Sequence, residues 1–531
     1  MRRSSNPVVA AILLFLACAI ACSAPQSSTS QRDRDLTEVT VLRLQAMYAS
    51  GKYTVTQATQ WYLNRIARYD GVYHAVIHVD ATGALATAAA EDAAKKKTGK
   101  VFKPTALWGI PIVVKANTSV KGLVTSNGWV GYTMPGHELV APADATIISK
   151  LKNAGAVILG QSNMPDFANS DTTIGSAGGR TGNAYNWRFS PGGSSGGTVT
   201  SVSANFAIVG TGTDTSNSIR MPSGASGVVG VLPTRGLVSI AGIHPLDWLL
   251  DNTGPIARNV TDAAIALGVM AGEDPKDART QGSASKAQPG PYTRYLKKKA
   301  LKARRFGVPA FIMRETGGQF ALTPESRLAF MKAIEGVRAA GAEVVLNDAI
   351  LPPSFEHLTE DINTKPYVRE GVERFLRDFG PQEYHSTAEF TSATGLRLPS
   401  FLIGPTLRSL ETDLAAESNF FAPQRMALAI YEETLTKLHL DGFVYPALQI
   451  PPTDETARRT TSFNDGPHSL TSWVNTIGVP AVVVPAGYYA NGLPFGLEFS
   501  ARPWKDGDLL GWAFAYEQAT RYRKAPVLTE R

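Results

Sequence analysis

The sequence predicts an α/β protein: a single large layered α/β/α domain with its sheet covered by helices on both faces. Three observations predict it. Short apolar runs bounded by glycine or proline recur at Ile112–Val114, Ala156–Leu159, Phe206–Val209, Phe443–Tyr445, Ala481–Val484 and Phe495–Phe499. Unbroken apolar runs of this length read as strands buried on both faces. Helical patterns lie between several of them, such as Ala145–Asn153, Thr261–Met270 and Glu325–Ala340, and this alternation marks a layered α/β architecture. Finally, the 531 residues are 44% hydrophobic and 18% charged, below the usual ~25% charged, as expected when a large core leaves a small surface share. The 48 glycines and 33 prolines fall short of low-complexity composition, which excludes disorder and collagen. Two cysteines exclude a disulfide scaffold.

The elements follow in chain order. Arg2 and Arg3 precede an apolar run from Val8 to Cys22. A positive head, an apolar stretch shorter than about 18 residues and a small-residue cut site form a secretory signal, here residues 1–22. Ala19-Ile20-Ala21 suits ordinary signal peptidase. The same residues before Cys22 loosely match a bacterial lipobox, so a lipid on Cys22 stays open beside periplasmic or secreted export. Residues 23–34 read as a polar tether. Cleavage removes Arg2 and Arg3 and no acidic residue, so the net charge falls from +7 to +5, and the mature chain is almost free of cysteine and needs no disulfide.

A helix is expected over Thr37–Ser50, stopped by Gly51. Thr54 and Gln57 form a capping-box pattern before Val55, Ala58, Tyr62 and Ile66. Residues 272–300 are polar and basic and read as a surface excursion. The triplets Lys95–Lys97 and Lys297–Lys299 lack interleaved aromatics and read as solvated faces. The pI near 9.2 therefore points to no nucleic acid.

Residues 175–230 hold thirteen glycines, including Pro191-Gly-Gly-Ser-Ser-Gly-Gly197 and then Gly212-Thr-Asp-Thr-Ser-Asn-Ser-Ile-Arg220. Glycine lets backbone amides approach a ligand, and serine offers a nucleophile. A phosphate loop would need Gly-Lys-Ser/Thr, which is absent. A nucleophile elbow fits Gly193-Ser194-Ser195-Gly196-Gly197 with Ser195 central. That reading needs a downstream histidine, and His357, His385, His439 and His468 are available. It also needs an apolar strand before the serine, whereas 185–191 is polar and turn-like. A flexible linker is opposed by the strand expected at Phe206–Val209. The third reading is a serine hydrolase with a lysine base. Lys115 ends the apolar run Ile110–Val114, where burial can lower its pKa and keep it neutral.

Here the chain resembles a known family. Gly109–Asn117 with Lys121-Gly122 looks like the lysine segment of the amidase signature family, and Gly160–Ala168 resembles its next block. Pro191–Gly197 and Gly212–Arg220 are similar to its glycine-serine signature, with Ser194 and Ser218 24 positions apart. Further similar blocks lie at Gly230–Gly236, Asp251–Arg258, Asn475–Gly487, Gly492–Gly496 and Ala515–Thr520. The resemblance implies the amidase signature fold, with a central mixed sheet, and one catalytic domain over 35–531. Within it 275–440 is variable and is expected to contribute to the substrate pocket.

The resemblance also implies a Ser-cisSer-Lys triad. Ser218 would be the nucleophile, Ser194 the bridging serine after a cis peptide, and Lys115 the base. Backbone amides of Thr215, Ser216, Asn217 and Ser218 would form the oxyanion hole. Asp214 and Arg220 flank this loop and read as a salt bridge. Two positions depart from the family: Ser216-Asn217 stands in place of Gly-Gly, and Ala116 replaces the aspartate after the lysine. The eight histidines show no metal-ligand spacing, and His244 and His468 read as structural residues.

The expected function is an exported, cofactor-free amidase that acts on small-molecule amides. It would touch a membrane only through a lipid on Cys22. Two rivals are a glutaminase-type subunit of a tRNA-dependent amidotransferase and an exported solute-binding protein.

Overall fold

Lys115 and the glycine-rich segment meet near the middle of an eleven-stranded mixed sheet. The computed structural model describes residues 30–98, 103–316, 321–404, 406–457 and 467–530. The expected export signal, residues 1–22, including Cys22, lies outside them. In chain order the strands are β1 (Val76–Val79), β2 (Ile110–Lys115), β3 (Ala156–Ser162), β4 (Ile174–Gly175), β5 (Gly179–Arg180), β6 (Val209–Asp214) and β7 (Val229–Leu232). Then come β8 (Asn252–Ala257), β9 (Arg305–Val308), β10 (Glu343–Leu346), β11 (Gly442–Pro446), β12 (Ala481–Tyr488) and β13 (Pro494–Ala501). The sheet order is β1-β3-β2-β6-β8-β7-β12-β13-β11-β9-β10, with β4 and β5 forming a separate hairpin.

The pairs β3–β2, β2–β6, β11–β9 and β9–β10 are parallel, and the others are antiparallel. Every position of β2, β3, β6, β8 and β13 is buried, so both faces of the sheet's middle are covered. This is the layered α/β arrangement with a mixed sheet that the sequence predicts.

Four readings need correction. Residues 30–34 of the expected tether belong to a helix, Gln31–Leu36, capped by Ser30, whose Oγ accepts from Asp33 N at 3.1 Å. The helix expected from Thr37 begins at Val41, because Glu38 turns to φ +56° and Thr40 supplies the cap. The strand expected at Phe206–Val209 is instead Val209–Asp214. Phe206–Ile208 lead into it, and Asn205 just before them sits at φ +61°. The excursion 272–300 is not wholly surface: Asp274, Thr280, Ser283 and Tyr292 within it are buried. In addition, β9 and β10 lie in the variable stretch where no strand is expected.

The helices at Thr146–Asn153, Val260–Met270 and Pro324–Ala339 fall within a residue or two of the predicted spans, and the helix with Val55, Ala58, Tyr62 and Ile66 runs from Val55 to Tyr73. Thr54 and Gln57 close the predicted capping box.

Strand β6 shows why its signal is weak. A Cβ on Gly210 would lie 2.4 Å from Thr198 Cγ2, and one on Gly212 would lie 2.8 Å from Ile219 Cγ1 and Ile256 Cδ1 and 3.1 Å from Ser195 Oγ. The helix Gly196–Ser203, buried at all eight positions, packs where those side chains would be. The strand gives up apolar character for close approach. Parallel pairing of Ile112 with Val209 and Val113 with Gly210 then brings the carboxyl ends of β2 and β6 side by side. In α/β sheets such ends are where ligands bind.

Candidate active site

Lys115 is the last residue of β2 and is fully buried. Its Nζ lies 2.7 Å from Ser194 Oγ, 3.0 Å from Ser195 Oγ and 2.8 Å from Thr213 Oγ1. Burial brings its pKa down from the ordinary 10.5 to about 7, against the opposing pull of Asp214 and Asp251. Near neutral pH a large share of these amines is therefore neutral.

Hydrogen-bond accounting separates the two serines. Ser195 Oγ donates its proton to Thr213 O at 3.2 Å, so it can only accept from Lys115. Thr213 Oγ1 also accepts from Asn117 Nδ2 at 3.0 Å. A neutral amine has two N–H bonds and one lone pair. With its hydrogens directed to Ser195 and Thr213, its lone pair faces Ser194 Oγ. The peptide Gly193–Ser194 is cis, as the resemblance implies. No histidine is bonded to Ser195, whose Oγ partners are Lys115 and Thr213, so the nucleophile-elbow reading does not hold.

The loop bearing Ser218 joins β6 to the short helix Arg220–Ala225. Asp214 Oδ2 accepts from Ile219 N at 2.9 Å and Arg220 Nε at 3.1 Å. Arg220 Nη1 donates to Glu498 Oε1 at 2.7 Å and Thr471 O at 2.9 Å, and Nη2 donates to Ser216 O. Asn475 Nδ2 donates to Asp214 O at 2.5 Å and to Oδ1 at 3.0 Å. Asp214, Arg220 and Glu498 are all fully buried. Burial pushes Glu498 up to about 7 even beside Arg220. The salt-bridge reading of Asp214 and Arg220 thus describes their place in the fold, and removing one partner of such a buried set costs about 3–5 kcal/mol.

Among the described residues, no acceptor meets the backbone amides of Thr215, Ser216, Asn217 and Ser218. Four consecutive unengaged donors beside a serine make a receptor for negative charge. Ser195 N donates to Ser218 O at 3.3 Å, which ties the two serine segments together. Thr215 Oγ1 donates to Asp251 Oδ1 at 2.5 Å and anchors the start of the loop. Burial raises Asp251 to about 7. Ser216 and Asn217 do not adopt positive φ, so side chains are sterically allowed where the family has glycines. Asn217 Oδ1 is buried without a partner. Ala116 packs in an apolar cluster with Met164 and Ala168, where an aspartate would bring a further opposing charge to Lys115 besides Asp214 and Asp251.

Sequence reasoning missed Thr213, Asn117, Glu498, Asn475 and Asp251 as parts of this site. Glu498 left a signal: it is the one acid inside the apolar run Phe495–Phe499. His468 pairs with Asp171 at 2.9 Å. Burial lowers His244 to about 3, and its ring sits between Asn127 and Tyr132 at 2.9 Å each.

A buried lysine, hydroxyls on a glycine-rich turn and a crown of free amides within this sheet define a serine amidohydrolase. Comparison with known proteins agrees: the family profile described as Amidase matches residues 57–510, and the chain belongs to that family, the amidase signature family. Its members are serine amidohydrolases acting on C–N amide bonds.

The chain is 32% identical over 488 residues to a glutamyl-tRNA(Gln) amidotransferase subunit of Thermosynechococcus vestitus, covering 89% of this chain and 96% of that one. The solved structure of the native peptide amidase from Stenotrophomonas maltophilia matches with TM-score 0.75 and 30% identity, covering 92% and 99%. An amidase family protein from Bacillus anthracis matches with TM-score 0.74 and 26% identity, covering 93% of each chain. Membership of this family sets aside the solute-binding reading.

Proposed function

We propose that this protein hydrolyses carboxylic amides through an acyl-enzyme on Ser218, with Ser194 as proton bridge and Lys115 as base. The observation that carries the reading is Lys115 Nζ, fully buried and 2.7 Å from Ser194 Oγ, with its two other contacts on acceptors. Neutral Lys115 takes the Ser194 proton as Ser194 takes that of Ser218, and Ser218 Oγ bonds to the amide carbon. The carbonyl electron pair moves onto oxygen, held by the amides of Thr215, Ser216, Asn217 and Ser218. Losing one such donor costs about 3–4 kcal/mol. Collapse breaks the C–N bond, and the amine leaves with the proton returned through Ser194. Water then enters by the same relay and releases the acid.

The substrate in this reading is a small amide, with no cofactor and no nucleic-acid partner. Likeness to a peptide amidase makes peptide carboxamides the first series to try. Residues 1–22 support export, with Cys22 as the single place for a lipid anchor. A second reading, the glutaminase-type subunit of a tRNA-dependent amidotransferase, is favoured by the 96% of that relative's length that is covered. An export signal does not suit that role.

The test is mass spectrometry after a fluorophosphonate probe. An adduct on the Ser218 peptide, absent in Ser218→Ala, is expected. An unmodified Ser218 overturns the mechanism. Ammonia release from glutamine only after partner subunits have been added would select the second reading.

A further inference from the structure

A cavity of about 710 Å³ opens between the segment 240–248, residues 276–279 and the helix Val368–Phe379. That volume lies within the ~300–1,000 Å³ of small-molecule sites. None of Lys115, Ser194, Ser195 or residues 213–218 lines it.

Its body is apolar and aromatic. Ile243, Trp248, Phe375 and Phe379 form the walls. The indole of Trp248 is held from two sides: its Nε1 donates to Tyr367 O at 2.8 Å, and Gly371 makes room for the ring, since a Cβ there would lie 2.5 Å from Trp248 Cδ1. The Arg374 guanidinium lies 4.6 Å from the centre of the indole face. This wall is assembled, not incidental.

Its charge is unbalanced in one direction. Lys276, Arg279, Arg374 and Arg377 line the cavity against the two carboxylates Asp277 and Asp378. Both carboxylates are engaged. Asp277 receives Arg279 Nε and Nη2 at 3.0 Å each, and Asp378 receives Arg377 Nε and Nη2 at 2.8 Å each. Arg279 directs Nη1 to Trp248 O and Asp251 O. Arg374 uses Nη2 on Glu370, and among the described residues no partner meets its Nε or Nη1, nor the Lys276 ammonium. Spare donors with no spare carboxylate favour an anionic ligand. The stacked guanidinium beside an aromatic floor favours a flat ring next to that anion.

We propose that this cavity binds an aromatic carboxylate, its ring against Trp248 and Phe375 and its carboxylate on Lys276 and Arg374, at a site separate from Ser218.

The test is calorimetric titration of the full chain with 1-naphthoate and with neutral 1-naphthalenemethanol. The naphthoate is expected to bind saturably, and the alcohol at least about tenfold more weakly. Lys276→Ala and Arg374→Ala, both on exposed side chains, should each weaken naphthoate about threefold to tenfold, and added salt should weaken it further. Protein already labelled on Ser218 by fluorophosphonate should bind naphthoate unchanged. The proposal is overturned by absent saturation, by equal affinity for the alcohol, or by unaltered affinity in both variants. It is also overturned if labelling Ser218 abolishes binding, which would place the acid in the catalytic centre.

Discussion

The corner around Lys115 and the cavity beside Trp248 share one segment of the chain. Residues 240–251 meet the corner where His244 N donates to Asn117 O at 2.8 Å and Asp251 accepts from Thr215. Other positions of the segment, Ile243 and Trp248, wall the cavity. The corner is buried, and its charges are locked into partners contributed by β6, β13 and the 471–475 segment. The cavity carries half-exposed arginines on one helix, paired at spacings of one and four residues. Such surface pairs contribute at most about 1 kcal/mol. The difference teaches where the fold locks its charges and where it leaves them loose: substitutions are expected to cost far more in the corner than around the cavity.

Three measurements sharpen that contrast. The largest effect is expected from Lys115→Met, which removes the base. Turnover should fall by about 10³-fold or more while circular dichroism stays native, and near-native turnover would refute the corner as the seat of chemistry. Arg220→Lys should come next. A lysine cannot span Asp214, Glu498, Thr471 and Ser216 with one fork. We expect kcat to fall by about 10²-fold and the unfolding free energy by about 3–5 kcal/mol, read by kinetics and denaturant titration. A change under twofold would mean the loop does not depend on its brace.

The smallest is a pH effect. In the proposed mechanism Lys115 acts as base only when neutral, and its pKa is lowered to about 7. Activity per enzyme should therefore fall about tenfold per pH unit below 7 and level off above 8. Asp251, also near 7, titrates in the same window, and Asp251→Asn separates the two groups. Stability carries a matching signature. Unfolded lysine holds its proton to about 10.4, so between about 7 and 10.5 the unfolded state binds the extra proton and the contribution of Lys115 to stability rises with pH. That contribution should be flat below 7 and vanish in Lys115→Met.

Much of this corner was legible because its residues sit in ordered blocks. Lys115 ends an apolar strand, Ser194 lies in a glycine-rich turn, and Ser218 follows it at the 24-residue spacing of the family's signature. Strand β6 was misplaced because Gly210 and Gly212 give up hydrophobic signal for contact with Thr198, Ile219 and Ser195. Thr213 and Asn117 were invisible because a threonine or asparagine gains meaning only from what faces it across β2 and β6. The cavity was hidden altogether. Its wall depends on Gly371 yielding space to Trp248, a fit between distant segments that no local pattern encodes. Residues 275–440 hold β9 and the edge strand β10, which are short and carried no alternation to reveal them.

The brace on the nucleophile loop also sets a clock. Arg220 depends on Glu498, 278 residues further along the chain, and Asp214 depends on Asn475, 261 residues on. Synthesis runs from the amino end, so the loop bearing Ser218 emerges long before the strand that steadies it. A ribosome-bound or truncated chain that stops before residue 471 holds Lys115, Ser194 and Ser218 and still lacks Thr471, Asn475 and Glu498 of the brace. In the proposed mechanism activity is therefore expected only once the last part of the chain has been added.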